Sequence, residues 1–163
     1  MRLFLAICLS EELQGTMIKT MHSLKQQGVS GSYVTAANLH MTLAFLGDDA
    51  EASAVKAVMR GIRFKPFRLS LTDFGAFGDT LWIGAKGSQS LTALVKDIRS
   101  ALDAANIAYD RQKFVPHITL VRHMKGNWRQ TAAPRGEMNV SRISLMKSEE
   151  KNGKRVYTEI FSV

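Results

Sequence analysis

Apolar and polar positions along this chain fall into short, well-punctuated blocks, and each block predicts one element. Leu3–Leu9 is a nearly unbroken apolar run of strand length. Ser10 then stands as a helix N-cap, with Glu11 and Glu12 in a first turn where the helix dipole favours acids. Leu13, Met17, Met21 and Leu24 recur at helical spacing down to Gly28, a natural stop. Residues 28–38 read as a loop, with a short extended piece at Tyr33-Val34. Leu39–Leu46 is a strand closed by Gly47-Asp48-Asp49, and Val55, Val58, Met59 and Ile62 mark a second helix. After the break at Pro66, Phe67, Leu69 and Leu71 alternate as a half-buried strand does. Gly75 and Gly78 punctuate a turn before a strand at Thr80–Ala85. Leu91, Leu94, Val95, Ile98 and Leu102 define a third helix, capped by Ser88 or Ser90. Phe114–Val121 is a strand and residues 123–136 an exposed basic loop. Val140–Lys147 and Arg155–Phe161 form two strands joined at Asn152-Gly153, a strong hairpin signal.

One pattern occurs twice. His40-Met41-Thr42-Leu43 and His117-Ile118-Thr119-Leu120 share His-x-Thr-Leu, and both lie inside expected strands. With 10 Thr and 16 Leu in the chain, a given histidine would carry that pair by chance about 0.6% of the time. The context repeats too: a strand from Leu3 and a helix precede His40, and a strand from Leu81 and a helix precede His117. A duplicated strand–helix–strand unit predicts two lobes related by an approximate two-fold axis.

Composition narrows the class. The 163 residues are 45% apolar and 22% charged, the balance of a globular protein rather than a disordered or fibrous one. That length predicts a single bilobal domain over residues 1–163. No apolar run approaches the roughly 20 residues of a membrane span. Leu3–Leu9 is short and lacks a cleavage site, so it reads as a strand and not a signal peptide. A single cysteine, Cys8, makes no internal disulfide and reads as a buried small hydrophobe; a cytoplasmic location is expected.

The charge is uneven. Residues 1–110 hold 11 Lys/Arg against 10 Asp/Glu, whereas residues 111–163 hold 11 against 4, which accounts for +7 of the net +8. Such asymmetry points to a polyanionic partner, with nucleic acid foremost.

In a strand, residues i and i+2 share a face. His40 and Thr42 therefore project together while Met41, Leu43 and Phe45 turn to the core, and His117 and Thr119 project with Ile118 and Leu120 behind them. Across a pseudo-two-fold axis, two imidazoles and two hydroxyls converge in one groove. One neutral imidazole can take a proton from water while the other, protonated, gives one to a leaving alkoxide near neutral pH. The hydroxyls can donate to phosphoryl oxygens. This is the chemistry of metal-free phosphodiester hydrolysis. Nothing in the Cys/His spacing suggests zinc, Asp48-Asp49 alone makes no metal site, and no cofactor motif is present. His22 lies off the apolar helix stripe and is expected in solvent. Trp82 and Phe114 are candidates to stack on a base, with core packing the alternative.

These residues resemble the 2H phosphoesterases, named for two His-x-Thr/Ser motifs, and within them the LigT-like RNA 2′,3′-cyclic phosphodiesterases, also called RNA 2′-5′ ligases. The resemblance takes in Arg2-Leu3-Phe4-Leu5-Ala6-Ile7 and Asn38–Gly47. It continues through Phe114–Arg122 and ends in the Asn-Gly hairpin with Tyr157. It implies an α+β fold: two pseudo-symmetric lobes, with antiparallel sheets flanking a central groove and helices outside. It also implies hydrolysis of RNA 2′,3′-cyclic phosphate ends to 2′-phosphomonoesters by a monomeric enzyme. His40 would be the proton donor, His117 the proton acceptor, and Arg122 a phosphate contact beside Thr42 and Thr119. Relatives often carry an aromatic where Leu5 stands, so the first strand is expected to offer no stacking ring. By strict alternation Arg122 shares a face with Ile118 and Leu120. A bulge after Leu120 or an approach from the rim is then required, and His123 becomes a rival on the His117 face. The competing readings are ATP-independent 2′-5′ ligation by the reverse chemistry, a small-nucleotide phosphodiesterase, a His-ligated metallohydrolase, and a non-catalytic RNA-binding module.

Overall fold

A computed structural model describes residues 1–163 and shows two antiparallel sheets with three α-helices. The elements run β1 (Arg2–Cys8), α1 (Glu11–Gln26), β2 (Ser30–Tyr33), a 3-10 turn (Ala36–Asn38), β3 (His40–Gly47) and α2 (Ala52–Arg60). They continue as β4 (Phe67–Phe77), β5 (Thr80–Lys86), α3 (Ser88–Ala104), β6 (His117–Lys125), β7 (Glu137–Val140), β8 (Ser144–Lys151) and β9 (Lys154–Ser162). The first sheet has the order β3-β1-β8-β9 and the second β2-β6-β5-β4-β7. The repeated unit is present in both: β1-α1-β3 and β5-α3-β6 each place a motif strand against the strand that opens its unit.

Local rules account for most of these elements. Ser10 caps α1, its hydroxyl accepting from the Leu13 amide at 3.2 Å, and the chain leaves through Gly28 with φ +86°. Leu13, Met17, Met21 and Leu24 are buried on one face of α1, as are Leu91, Leu94, Val95, Ile98 and Leu102 on α3. Both faces join Leu3, Leu5, Ile7, Met41, Leu43, Ile83, Ile118 and Leu120 in one continuous apolar cluster that crosses both sheets. Deleting a large side chain from such a cluster costs about 2–5 kcal/mol, because the surroundings only partly collapse. No helix is long and apolar enough to cross a membrane.

Several expectations need correction. The third helix has Gly87 at its N-cap with no side-chain hydrogen bond, so neither Ser88 nor Ser90 caps it. Gly75 lies inside β4, which runs on to Phe77, and the turn falls after it. The strand expected from Phe114 begins at His117, because Pro116 offers no amide to a ladder. The basic loop is shorter than expected: His123–Lys125 belong to β6, and Trp128 tucks against Phe74 with centroids 5.6 Å apart. What read as one strand from Val140 is two, β7 and β8, which sit in different sheets. Cys8 is half-buried on the face of β1 opposite the main core, where burial pushes its thiol pKa up.

Candidate active site

The two motif strands meet where the sheets adjoin, and a groove of about 430 Å³ opens there. His40, Thr42, His117, Thr119 and Arg122 all line it, whereas Trp82, Phe114 and His123, the other candidates, do not. Arg2, Phe4, Phe45, Ser148, Arg155 and Tyr157 complete the lining.

Arg122 arrives by a bulge. In β6, Thr119 pairs with Trp82 and Val121 with Leu81, so Leu120 is the extra residue. Leu120 and Val121 both turn to the core, alternation restarts one residue late, and Arg122 shares the face of His117 and Thr119. β3 does the same: Thr42 pairs with Ala6 and Ala44 with Leu5, which leaves Leu43 extra. Phe45 is therefore 40% exposed in the groove and not in the core as alternation predicted. His123, the rival, has φ +55°, and its side chain is 80% exposed beside Asp79, so it does not line the groove.

Each histidine is held in the same way. His40 Nδ1 lies 2.7 Å from the Asn38 carbonyl, and His117 Nδ1 lies 2.6 Å from the Val115 carbonyl. A ring that donates its Nδ1–H backwards leaves Nε2 as the reactive nitrogen. His40 Nε2 is 2.9 Å from Thr42 Oγ1. Aromatic rings flank both: Phe4 and Tyr157 lie 4.9 and 5.2 Å from His40, and Phe77 and Trp82 lie 5.2 and 5.6 Å from His117. Leu5 faces the core at 1% exposure, so the first strand does offer a ring, through Phe4. Trp82 is half-buried against His117, and Phe114 lines a neighbouring cavity of about 440 Å³ with Phe45 and Phe77. His22 is exposed, as expected.

The electrostatics follow from the lining. Arg2, Arg122 and Arg155 converge on the groove and no carboxylate lines it. Burial lowers the His40 pKa below its ordinary 6.5; Arg122 and His117 push the same way, and the Asn38 carbonyl opposes them. Arg2 has Asp48 3.9 Å away, whereas Arg122 and Arg155 have no carboxylate partner, and an anion entering the groove would supply their counter-charge. Arg2, Phe4, Arg155 and Tyr157 escaped the sequence reading as site residues. The even positions of β1 carried a signal for Phe4, since Leu3, Leu5 and Ile7 had claimed the core face.

Two antiparallel sheets that bring paired His-x-Thr strands to one cation-rich groove define a two-histidine α+β protein built for a phosphate-like ligand. The comparisons with known proteins make this specific. A family model of the 2′-5′ RNA ligase superfamily matches residues 12–152, and the chain belongs to that family. It is 33% identical over 153 residues to an RNA 2′,3′-cyclic phosphodiesterase of Aquifex aeolicus, covering 81% of this chain and 80% of that protein. It is 30% identical over 139 residues to the enzyme of that name from Thermotoga maritima, covering 78% and 74%. The crystal structure of Escherichia coli LigT without ligand superimposes with a TM-score of 0.83 at 31% identity, over 99% of this chain and 95% of that one.

Proposed function

We propose that the protein hydrolyses RNA 2′,3′-cyclic phosphate ends to 2′-phosphomonoesters, with His40 as proton donor and His117 as proton acceptor. The observation that carries this reading is the matched tethering of the two rings. Each Nδ1 is bound to the carbonyl two residues earlier, which leaves Nε2 as the nitrogen for chemistry on both rings, His40 Nε2 resting on Thr42 Oγ1, in a groove lined by three arginines. The relatives named as RNA 2′,3′-cyclic phosphodiesterases support the same substrate.

In this reading Arg122, with Arg2 and Arg155, neutralises the phosphodiester. His117, neutral, takes a proton from water as it attacks phosphorus. His40, protonated once the anion is bound, gives its proton to the departing 3′ oxygen as that P–O bond breaks. Thr42 and Thr119 donate to the non-bridging oxygens, where charge grows in the transition state. The donor set favours a metal-free route, since two histidines among three arginines fall short of the three or more ligands a metal site takes. The whole of residues 1–163 acts as one monomeric catalytic unit in the cytoplasm.

The deciding experiment incubates a short RNA ending in a 2′,3′-cyclic phosphate with excess EDTA and locates the phosphate in the product. A 2′-phosphate is expected. A 3′-phosphate would reverse the regiochemistry, and binding without turnover would make the groove an RNA-binding site.

A further inference from the structure

The reaction groove does not end at the histidines. A larger cavity of about 600 Å³ opens from it between β2 and β9, and Arg122, Arg155 and Tyr157 line both spaces. Neither motif histidine and neither motif threonine lines this second space.

Its chemistry is of two kinds. Tyr33, Val34, Val156 and Tyr157 present apolar and aromatic surface, while Arg122, Lys154 and Arg155 supply positive charge, and no carboxylate is present. A flat apolar platform beside unpaired cations suits a nucleotide: the base stacks and the phosphate meets the guanidinium or ammonium groups. The cavity at the other end of the groove differs, because a carboxylate, Asp110, stands among its cations Arg99 and Lys113 and offsets part of their charge.

The walls are fixed in advance. The Tyr33 hydroxyl donates to the Val29 carbonyl at 2.7 Å, and Lys25 Nζ covers the ring 4.7 Å from its centroid. Asn38 Nδ2 donates to the Arg155 carbonyl at 2.9 Å, which ties the 3-10 turn to β9 across the cavity. Arg155 Nη1 donates to Ser148 Oγ at 3.3 Å, which aims its guanidinium at the junction. Pre-organised walls cut the entropy a ligand must lose to bind.

We propose that this cavity is a second nucleotide subsite, which holds the RNA nucleotide adjoining the cyclic-phosphate end and makes oligonucleotides better substrates than mononucleotides. The proposal rests on the phosphodiesterase reading above. It assigns Tyr33 and Lys154 to substrate selection and leaves the chemical step with the groove.

The test compares kcat/KM for a nucleoside 2′,3′-cyclic phosphate with that for a trinucleotide ending in the same nucleoside cyclic phosphate. The wild type should favour the trinucleotide by at least about 10-fold, the size expected of one stacked base and one phosphate contact. Lys154→Glu should cut that ratio at least about 5-fold, and Tyr33→Leu should cut it too. Lys113→Glu, a charge reversal in the cavity beyond His117, should leave the ratio as in the wild type. Mononucleotide turnover by each variant certifies that it is folded. A wild-type ratio near one, or a ratio lost in Lys113→Glu and kept in Lys154→Glu, overturns the subsite while leaving the phosphodiesterase intact. Failure of the wild type to turn over either substrate overturns both.

Discussion

Phe45 and Arg122 hold equivalent places in the two halves of the chain. Each follows its motif histidine by five residues, and each is turned into the groove by a bulge one residue after the motif threonine. The symmetric backbone thus presents a phenyl ring at one end and a guanidinium at the other. Arg122 lies close enough to His40 to lower its pKa, whereas Phe45 shares its cavity with His117.

That asymmetry separates two variants by their salt dependence. Arg122→Ala removes a cation from the phosphate site and should lower kcat/KM by about 10- to 100-fold, as lost charge-assisted hydrogen bonds do. It should also flatten the plot of log kcat/KM against log salt by about one unit of slope. Phe45→Ala removes no charge and should raise KM for the RNA with the slope intact. Equal slopes for both variants and the wild type would remove Arg122 from the phosphate site.

Either histidine should be indispensable. His40→Ala and His117→Ala are each expected to reduce turnover of the cyclic phosphate by about 100-fold or more, the usual size of acid–base contributions. Because the two act in one proton-transfer cycle, the double variant should lose little beyond the worse single one. EDTA should leave the wild-type rate unchanged. Near-normal rates in both single variants would end the two-histidine mechanism.

The pH profile tests whether His40 takes part in proton transfer. As proton donor, His40 must be charged, and its surroundings disfavour the charge: burial first, then Arg122 and His117. In the free enzyme it therefore loses its proton below the ordinary imidazole value of about 6.5. One limb of the bell-shaped kcat/KM profile, which reports the free enzyme, should therefore lie below that value. Bound anionic substrate stabilises the imidazolium, so the same limb in kcat should move to higher pH. Profiles at limiting and saturating substrate measure both. A profile with no limb below that value, or with no shift of that limb on saturation, would count against His40 as a partner in proton transfer.

Gly31 is predicted to be irreplaceable for packing reasons. It has φ +145°, and a Cβ built there would meet the Arg122 carbonyl oxygen and Val121 Cγ1, each at 2.7 Å. The β2/β6 pairing is irregular at this point, Ser30 facing Lys125 and Ser32 facing Arg122, and Gly31 lies directly against the β6 backbone. Gly31→Ala should destabilise the fold by about 1–3 kcal/mol, read from urea denaturation. An unchanged midpoint would mean that β2 can move away freely, and the cavity beside Tyr33 with it.

The chain's own pattern determined a good deal: three helices, most strands, the duplicated unit, and the pair of His-x-Thr strands whose histidines face one groove. These are local properties. Helical spacing, alternation and capping depend on neighbours a few residues away, and the repeat made each half a check on the other. What the tertiary structure alone decided is where local rules break or distant segments meet. The bulges at Leu43 and Leu120 are set by pairing with β1 and β5, so alternation misplaced Phe45 and left Arg122 without a route. The expected strand from Val140 took in only the last residue of β7, a four-residue element too short to show its own pattern, and ran on into β8, which lies in the other sheet. Arg2, Arg155 and Tyr157 reach the histidines from opposite ends of the sequence. Their closeness comes from the order β3-β1-β8-β9, a product of the packed core, which no residue carries by itself.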